Sequence, residues 1–227
     1  MIIGDIIQRI QSLYSKGVQS DDTRLKSRHI YNVLITNRNN KLLTVYRLGY
    51  SNYQELSCVE LEEVSPSLCD CIPFNCTVKR SKYPIPVLLQ IGTDIAVKRI
   101  SSIDGKVIFS KTSLEKLSRL KGNRYTSNNP FFYVRDNYLY IENRKGIDVV
   151  SVEAIFADPV EAYLHPSYCD LNNDCTSILE KRFPVDDSLI ETVVRSTVYE
   201  LVNSFTKVKE DTTNDTSEDK ERVNEEL

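Results

Sequence analysis

The fold class predicted for this chain is α+β: a small helical bundle, made of an N-terminal helical hairpin and a C-terminal helix, split by a β-rich insertion and followed by an extended polar segment. Three observations predict it. Apolar residues recur at helical spacing in the first fifty residues and again after Pro184. The stretch between them alternates and carries hairpin turn signals, and beyond residue 206 large apolar side chains almost disappear.

The first helix is read from IIGDIIQRIQSLYSKG, where Ile3, Ile6, Ile7, Ile10, Leu13 and Tyr14 form one stripe and Gly17 sits where a left-handed helix end is favoured. A second helix is expected to start near Ser20, a good N-cap residue. Asp21 and Asp22 then fall in its first turn, where the helix dipole stabilises a carboxylate by roughly 0.3–1 kcal/mol. Neighbouring residues on a helix point about 100° apart, so these aspartates are capping groups rather than a converging acid pair. His29 has no nucleophile or metal partner near it in sequence, which makes it a packing or interface residue. Leu25, Ile30, Val33 and Leu34 continue the stripe, and the helix is expected to run to about Leu48.

The period then changes. CVELEEV alternates, and CTVKRSKYPIPVLLQIG is extended and proline-punctuated. AVKRISSIDGKVIFS places Asp104-Gly105 between two strand-like runs, and FFYVRDNYLYIEN turns at Asp136-Asn137. SLEKLSRLKGN predicts one short helix from Ser113 to Gly122, and GIDVVSVEAIFADP a last β-branched run ending before Pro159. Helix returns in VDDSLIETVVRSTVYELVNSF, capped by Asp186 or Asp187, with a broad apolar face from Leu189 to Phe205. That face needs a partner, and the N-terminal hairpin supplies one. Residues 1–50 and 185–207 thus make the helical body, 51–184 the β-rich insertion and 208–227 the polar extension; there is no internal repeat.

Composition narrows the function classes. With 227 residues and 41% apolar content the chain can bury a core. No apolar run reaches the roughly 20 residues of a membrane span, and Asp5 and Arg9 interrupt the opening stretch where a signal peptide would be apolar. Net charge is −3, of which residues 207–227 carry −4, from four basic and eight acidic residues. The rest is close to neutral and offers no bulk electrostatic reason to bind nucleic acid.

A local exception runs from Lys106 to Tyr125, where Lys116, Arg119, Lys121 and Arg124 lead a basic cluster broken only by Glu115. Such a cluster suits sequence-blind phosphate contacts, or a solvated or intersubunit face. The acidic terminal segment cannot bury enough apolar surface to fold on itself. It is expected to order by docking on a neighbouring chain, through Lys209, Glu210, Asp211, Glu221 and Arg222.

No catalytic signature is present. The seven glycines form no phosphate-binding loop, and no HExxH, GxSxG or cysteine–histidine pair occurs. The six cysteines lack paired metal-ligand spacing and are expected to be free thiols in a reducing compartment. The sequence therefore indicates no enzyme, cofactor or metal.

Four stretches carry a family resemblance: IQRIQSLYSKGVQSDDTRLKSRHIYNVLI, YPIPVLLQIGTDIAVKRISSIDGKVIF, FFYVRDNYLYIENRKGIDVVSVEAIFADP and FPVDDSLIETVVRSTVYEL. Together they resemble the small ring, or head-to-tail adaptor, proteins of crAss-like tailed bacteriophages. The resemblance implies a virion protein, assembled in the host cytoplasm, that forms a ring, a dodecamer, with copies of itself below the portal. That ring connects capsid to tail and extends the channel for ejected DNA and protein. Its implied partners are the portal protein, further ring or tail proteins and passing DNA, with no membrane.

On this reading Asp21, Asp22, Arg24 and Arg28 pair across subunits, the terminal segment reaches the portal or a neighbour, and the basic cluster faces the channel. The sizeable β-rich insertion departs from the helical body of short-tailed phage adaptors. The competing readings are a protein-interaction module outside the virion and a small cysteine-dependent metalloenzyme.

Overall fold

The computed structural model describes residues 1–15, 25–46, 52–64, 78–142, 146–166 and 177–206. The chain is α+β. Among the described residues it opens with α1 (Ile3–Tyr14) and α2 (Ser27–Tyr46) and closes with α5 (Asp187–Thr206); between them lie nine strands, α3 (Leu114–Gly122), α4 (Pro159–Leu164) and a 3-10 turn (Ile178–Glu180).

The isoleucine stripe behaves as its spacing requires: Ile3, Ile6, Ile7 and Ile10 are buried against Ile30 and Leu34 of α2 and Ile190, Val193, Val194 and Leu201 of α5. Each such side chain contributes roughly 1.5–3 kcal/mol relative to exposure. Phe183 and Val185, just before α5, seal the same cluster. At its rim Arg9 pairs with Glu191, whose carboxyl is held below the usual range by Arg195 and Arg9.

The start of α2 differs from expectation. Leu25 and Lys26 are not helical, and the helix begins at Ser27 rather than near Ser20, with the Ile30 amide donating to the Lys26 carbonyl at 3.2 Å. Leu25 packs, partly buried, from outside the helix onto the α1–α2–α5 cluster, so tertiary packing and not helical periodicity sets its place. Ser20 and Gly17, the expected cap residues, lie outside the described residues.

The strands are β1 (Gln54–Glu63), β2 (Val78–Ser81), β3 (Gln90–Ile91), β4 (Asp94–Ile95), β5 (Val97–Ser102), β6 (Ser110–Lys111), β7 (Phe131–Arg135), β8 (Tyr138–Glu142) and β9 (Val149–Ala154). Seven of them form one sheet in the order β5-β9-β1-β2-β8-β7-β6, antiparallel except for the β6–β7 pair; β3 and β4 make a separate ribbon. Side-chain alternation gives the sheet two faces. The inner face, with Leu56, Val59, Ile100, Phe132, Leu139, Ile141, Val150 and Val152, is covered by Ile85, Leu88, Phe109, Phe156 and Ala162. On the outer face Phe131, Tyr133 and Tyr140 lie under Leu117 and Leu120 of α3.

Both turn signals hold. Gly105 has φ +69° and closes the Asp104-Gly105 turn, after which Phe109 N–H donates to Ile100 O at 2.9 Å. Asp136 and Asn137 have φ of 51° and 60°, joining β7 to β8 with Arg135 opposite Tyr138. This is the two-residue turn with both central residues left-handed. Asn137→Val should therefore cost about 1–2 kcal/mol in chemical denaturation while Asn137→Gly costs little, because a β-branched side chain is strained in the left-handed region and glycine is not. Equal stability of the two variants would show that the turn is held by its flanking strands alone.

Cys58 corrects the thiol expectation: it is disulfide-bonded. It lies where the β1–β9 register shifts between Leu56 and Val59, an irregularity that releases its side chain from strict strand alternation. The other five cysteines lie outside the described residues.

Candidate functional site

Two places concentrate charge in a way the core does not require. The first is α3. Ser113 stands at its N-cap, Glu115 lies in its first turn, and Arg119 and Lys121 lie in its last, an order that suits the helix dipole at both ends. Leu117 anchors the helix to the stacked pair Tyr133–Tyr140, whose ring centroids are 4.9 Å apart. The opposite side of the helix faces solvent. Lys116, Arg119 and, just beyond the helix, Arg124 are exposed and make no ion pair among the described residues.

Lys121, expected with that basic group, behaves differently. It turns back onto the sheet and pairs with Glu142, which is only 2% exposed. The cluster read as one basic face is therefore three outward cations and one internal counter-ion.

Beside α3 runs a groove of about 710 Å³, bounded by the β3–β4 ribbon, the β6 strand, the start of α3 and the outer edge of β7. Lys111 and Lys116 stand at its rim and Leu114 and Leu120 in its wall. Lys111 pairs with Asp94 across it, and partial burial holds its ammonium pKa below the ordinary lysine value. A second cleft, about 560 Å³, lies between the start of β1 and residues 182–187. Its rim carries Glu55, Arg182, Asp186 and Asp187. Ser188 N–H donates to Asp186 and lowers its carboxyl pKa, the expected behaviour of a helix-start acid.

The second concentration joins the helices to the sheet. Arg38 occupies a core position of α2, completely buried. Its Nη1 donates to Phe156 O and to Asn39 Oδ1, each at 2.9 Å, and Asn39 Nδ2 donates to Ala157 O at 2.9 Å. Two adjacent α2 residues thus stitch the helix to the chain leaving β9. Tyr31, two turns earlier, donates to Asp158 Oδ1 at 2.7 Å; the same oxygen accepts from Val160 N–H and so caps α4. Burial pulls the Arg38 pKa down to about 10, opposed by the nearby Tyr31 and Asp158, so the guanidinium keeps its proton at neutral pH. Burial and Asp158 push the Tyr31 phenol well above its ordinary value, leaving it a neutral donor. These charges are structural: they lock two layers together.

Other expected site residues are placed unevenly. Arg28 is exposed in the first turn of α2. Asp21, Asp22, Arg24, Lys209, Glu210, Asp211, Glu221 and Arg222 lie outside the described residues. His165 is buried beside Pro84, its Nε2 3.1 Å from that carbonyl, and burial lowers its pKa, so it acts in packing. Among the described residues no group of three histidine, cysteine or acidic side chains is placed to hold a metal, and no helix is long and apolar enough to cross a membrane.

Comparison with known proteins adds one finding. The family model described as phage tail ring protein 2 matches residues 5–220. No curated protein matches the chain.

Proposed function

The chain belongs to the phage tail ring protein 2 family of the crAss-like phages, and from that premise we propose that it forms a twelvefold ring below the portal that connects capsid to tail and lengthens the ejection channel. The family match, which spans nearly the whole chain, carries this reading. In it, residues 1–50 and 185–207 are the adaptor body, 51–184 an insertion that meets the next ring or a tail protein, and 208–227 an extension that docks on the portal or a neighbour.

The physical features support such a role. A ring repeats one heterologous contact, so each copy needs two different surfaces held rigidly relative to one another. The Arg38 and Asn39 stitches hold the helical and sheet layers in that way. Asp21, Asp22, Arg24 and Arg28 are the proposed intersubunit ion pairs, and Lys116, Arg119 and Arg124 the outward cations for passing DNA or a neighbouring copy. The protein acts without a cofactor or chemical step, assembles in the host cytoplasm and remains in the virion.

The test is the mass of the purified chain, alone and mixed with the portal ring of the same phage, by light scattering after size exclusion. A complex with about one copy per portal subunit is expected. Reversing the charges of Arg24 and Arg28 should reduce its yield. Absence of any complex with intact portal rings, across a range of salt, would overturn the assignment.

A further inference from the structure

We infer that the groove beside α3 is the receptor for the acidic C-terminal segment, residues 207–227, of a second copy of this chain. The second copy rests on the ring reading; the groove and its chemistry do not.

The groove has the features that capture of an acidic peptide needs. Lys116 at its rim and Arg119 one turn along α3 project outward and make no ion pair among the described residues, although most cations of the sheet region are matched: Lys79 with Asp148, Arg80 with Glu62, Lys82 with Glu60 and Lys98 with Glu153. Exposed cations without an ion pair thus gather on α3 beside this groove. The groove also offers backbone. β6 pairs only with Phe131 and Phe132, so beyond Phe132 the outer edge of β7 has no neighbouring strand among the described residues, and this edge lines the groove. An extended peptide can lie along such an edge. Leu114 and Leu120 add an apolar wall.

The proposed occupant is the complement of this surface. Residues 207–227 carry eight acidic and four basic side chains, with no aromatic residue and only Val208, Val223 and Leu227 as large apolar ones. The segment can gain little by packing on itself but much by lying on cations. Its length allows it to reach a neighbour. Twenty-one residues extended at about 3.3 Å each reach roughly 70 Å. A globular chain of this size is only roughly 45 Å across, from its expected radius of gyration. A segment leaving α5 can therefore pass beyond its own subunit. Groove and segment are two different surfaces, as a heterologous ring contact requires.

The experiment uses a fluorescent peptide of residues 207–227 and the chain ending at Thr206, with binding read by anisotropy at low and physiological salt. Saturable binding that weakens with salt is expected. Lys116→Glu with Arg119→Glu should weaken it about tenfold or more, while Lys26→Glu, exposed just before α2, leaves it unchanged. All three positions are exposed, and an unchanged circular dichroism spectrum confirms the fold of each variant. No binding, or binding indifferent to the double reversal, overturns the inference. Binding of a 20-bp duplex with that charge dependence, without binding of the peptide, overturns it too and assigns the surface to nucleic acid. The full-length chain separates the two possible sources of the segment. Salt-sensitive self-association that the double reversal abolishes supports a second copy; a monomer whose groove excludes added peptide shows the segment on its own chain and overturns that part. Failure of the portal-mass test with retained peptide binding removes the ring position but not the groove.

Discussion

Arg38→Ala should lower the unfolding free energy by about 3 kcal/mol, and Arg38→Met by roughly half of that, in urea titrations with an unchanged slope. The alanine removes the donor to Phe156 O and Asn39 Oδ1 and leaves a cavity between α2 and the end of β9. It also strips Asp158 of a nearby compensating charge, as the mutual influence of these groups indicates. Against these losses stands one gain: a guanidinium whose Nε and Nη2 make no hydrogen bond among the described residues no longer has to be desolvated. Methionine keeps that gain and fills much of the volume, so the difference between the variants measures the cavity and their common loss measures the hydrogen bonds.

A methionine variant as stable as the wild type would mean that the polar stitch adds no net stability. Leu42, Leu89, Ala96 and Ile155, the apolar cluster next to Arg38 along α2, would then hold the layers together on their own. For a ring subunit the expected loss has a further consequence: the helical and sheet surfaces would no longer be fixed relative to each other, and assembly should suffer more than folding.

The sequence made Arg38 visible only in part. Buried positions of α2 run Ile30, Leu34, Arg38, Leu42 and Val45, so the arginine sits squarely in an apolar stripe. Periodicity marks that position as inward, but it cannot say which carbonyl waits there, because Phe156 is 118 residues away in the chain. The same divide runs through the fold. Local chemistry was legible: the isoleucines of α1 and the Asp104-Gly105 and Asp136-Asn137 turns act as their types dictate, and α3 starts after the expected serine, although the Ser113 side chain makes no capping bond. Long-range pairing was not. Nothing in CVELEEV indicates that β1 lies between β9 and β2 in the interior of the sheet, since strand alternation specifies a face and not a neighbour. The helix start at Ser27 was hidden for a related reason: Leu25 packs on the helical cluster from outside the helix, and packing is a tertiary quantity.

The basic cluster of α3 shows the limit most sharply, because composition counted Lys121 with Lys116 and Arg119 although the structure divides them. Lys121→Ala should destabilise the protein by about 2–4 kcal/mol, whereas Lys116→Ala stays within about 0.5 kcal/mol of wild type. The reason is the carboxylate left behind. Glu142 ends β8 between Val78 of β2 and Phe131 of β7, is 2% exposed, and its Oε2 already makes no hydrogen bond among the described residues. Without the lysine the buried charge loses its counter-ion, and α3 loses the tie that holds its last turn down.

Glu142→Gln in the Lys121→Ala background removes the uncompensated charge and should recover more than half of the loss, a coupling that a double-mutant cycle reads directly. If Lys121→Ala proves as mild as Lys116→Ala, the ion pair is not holding α3 to the sheet and Lys121 rejoins the outward cations. If the large loss and its recovery are found, a test of the α3 surface must spare Lys121, since its removal would lower binding by loosening the helix rather than by removing a contact. That is why the charge reversals for the groove are confined to Lys116 and Arg119.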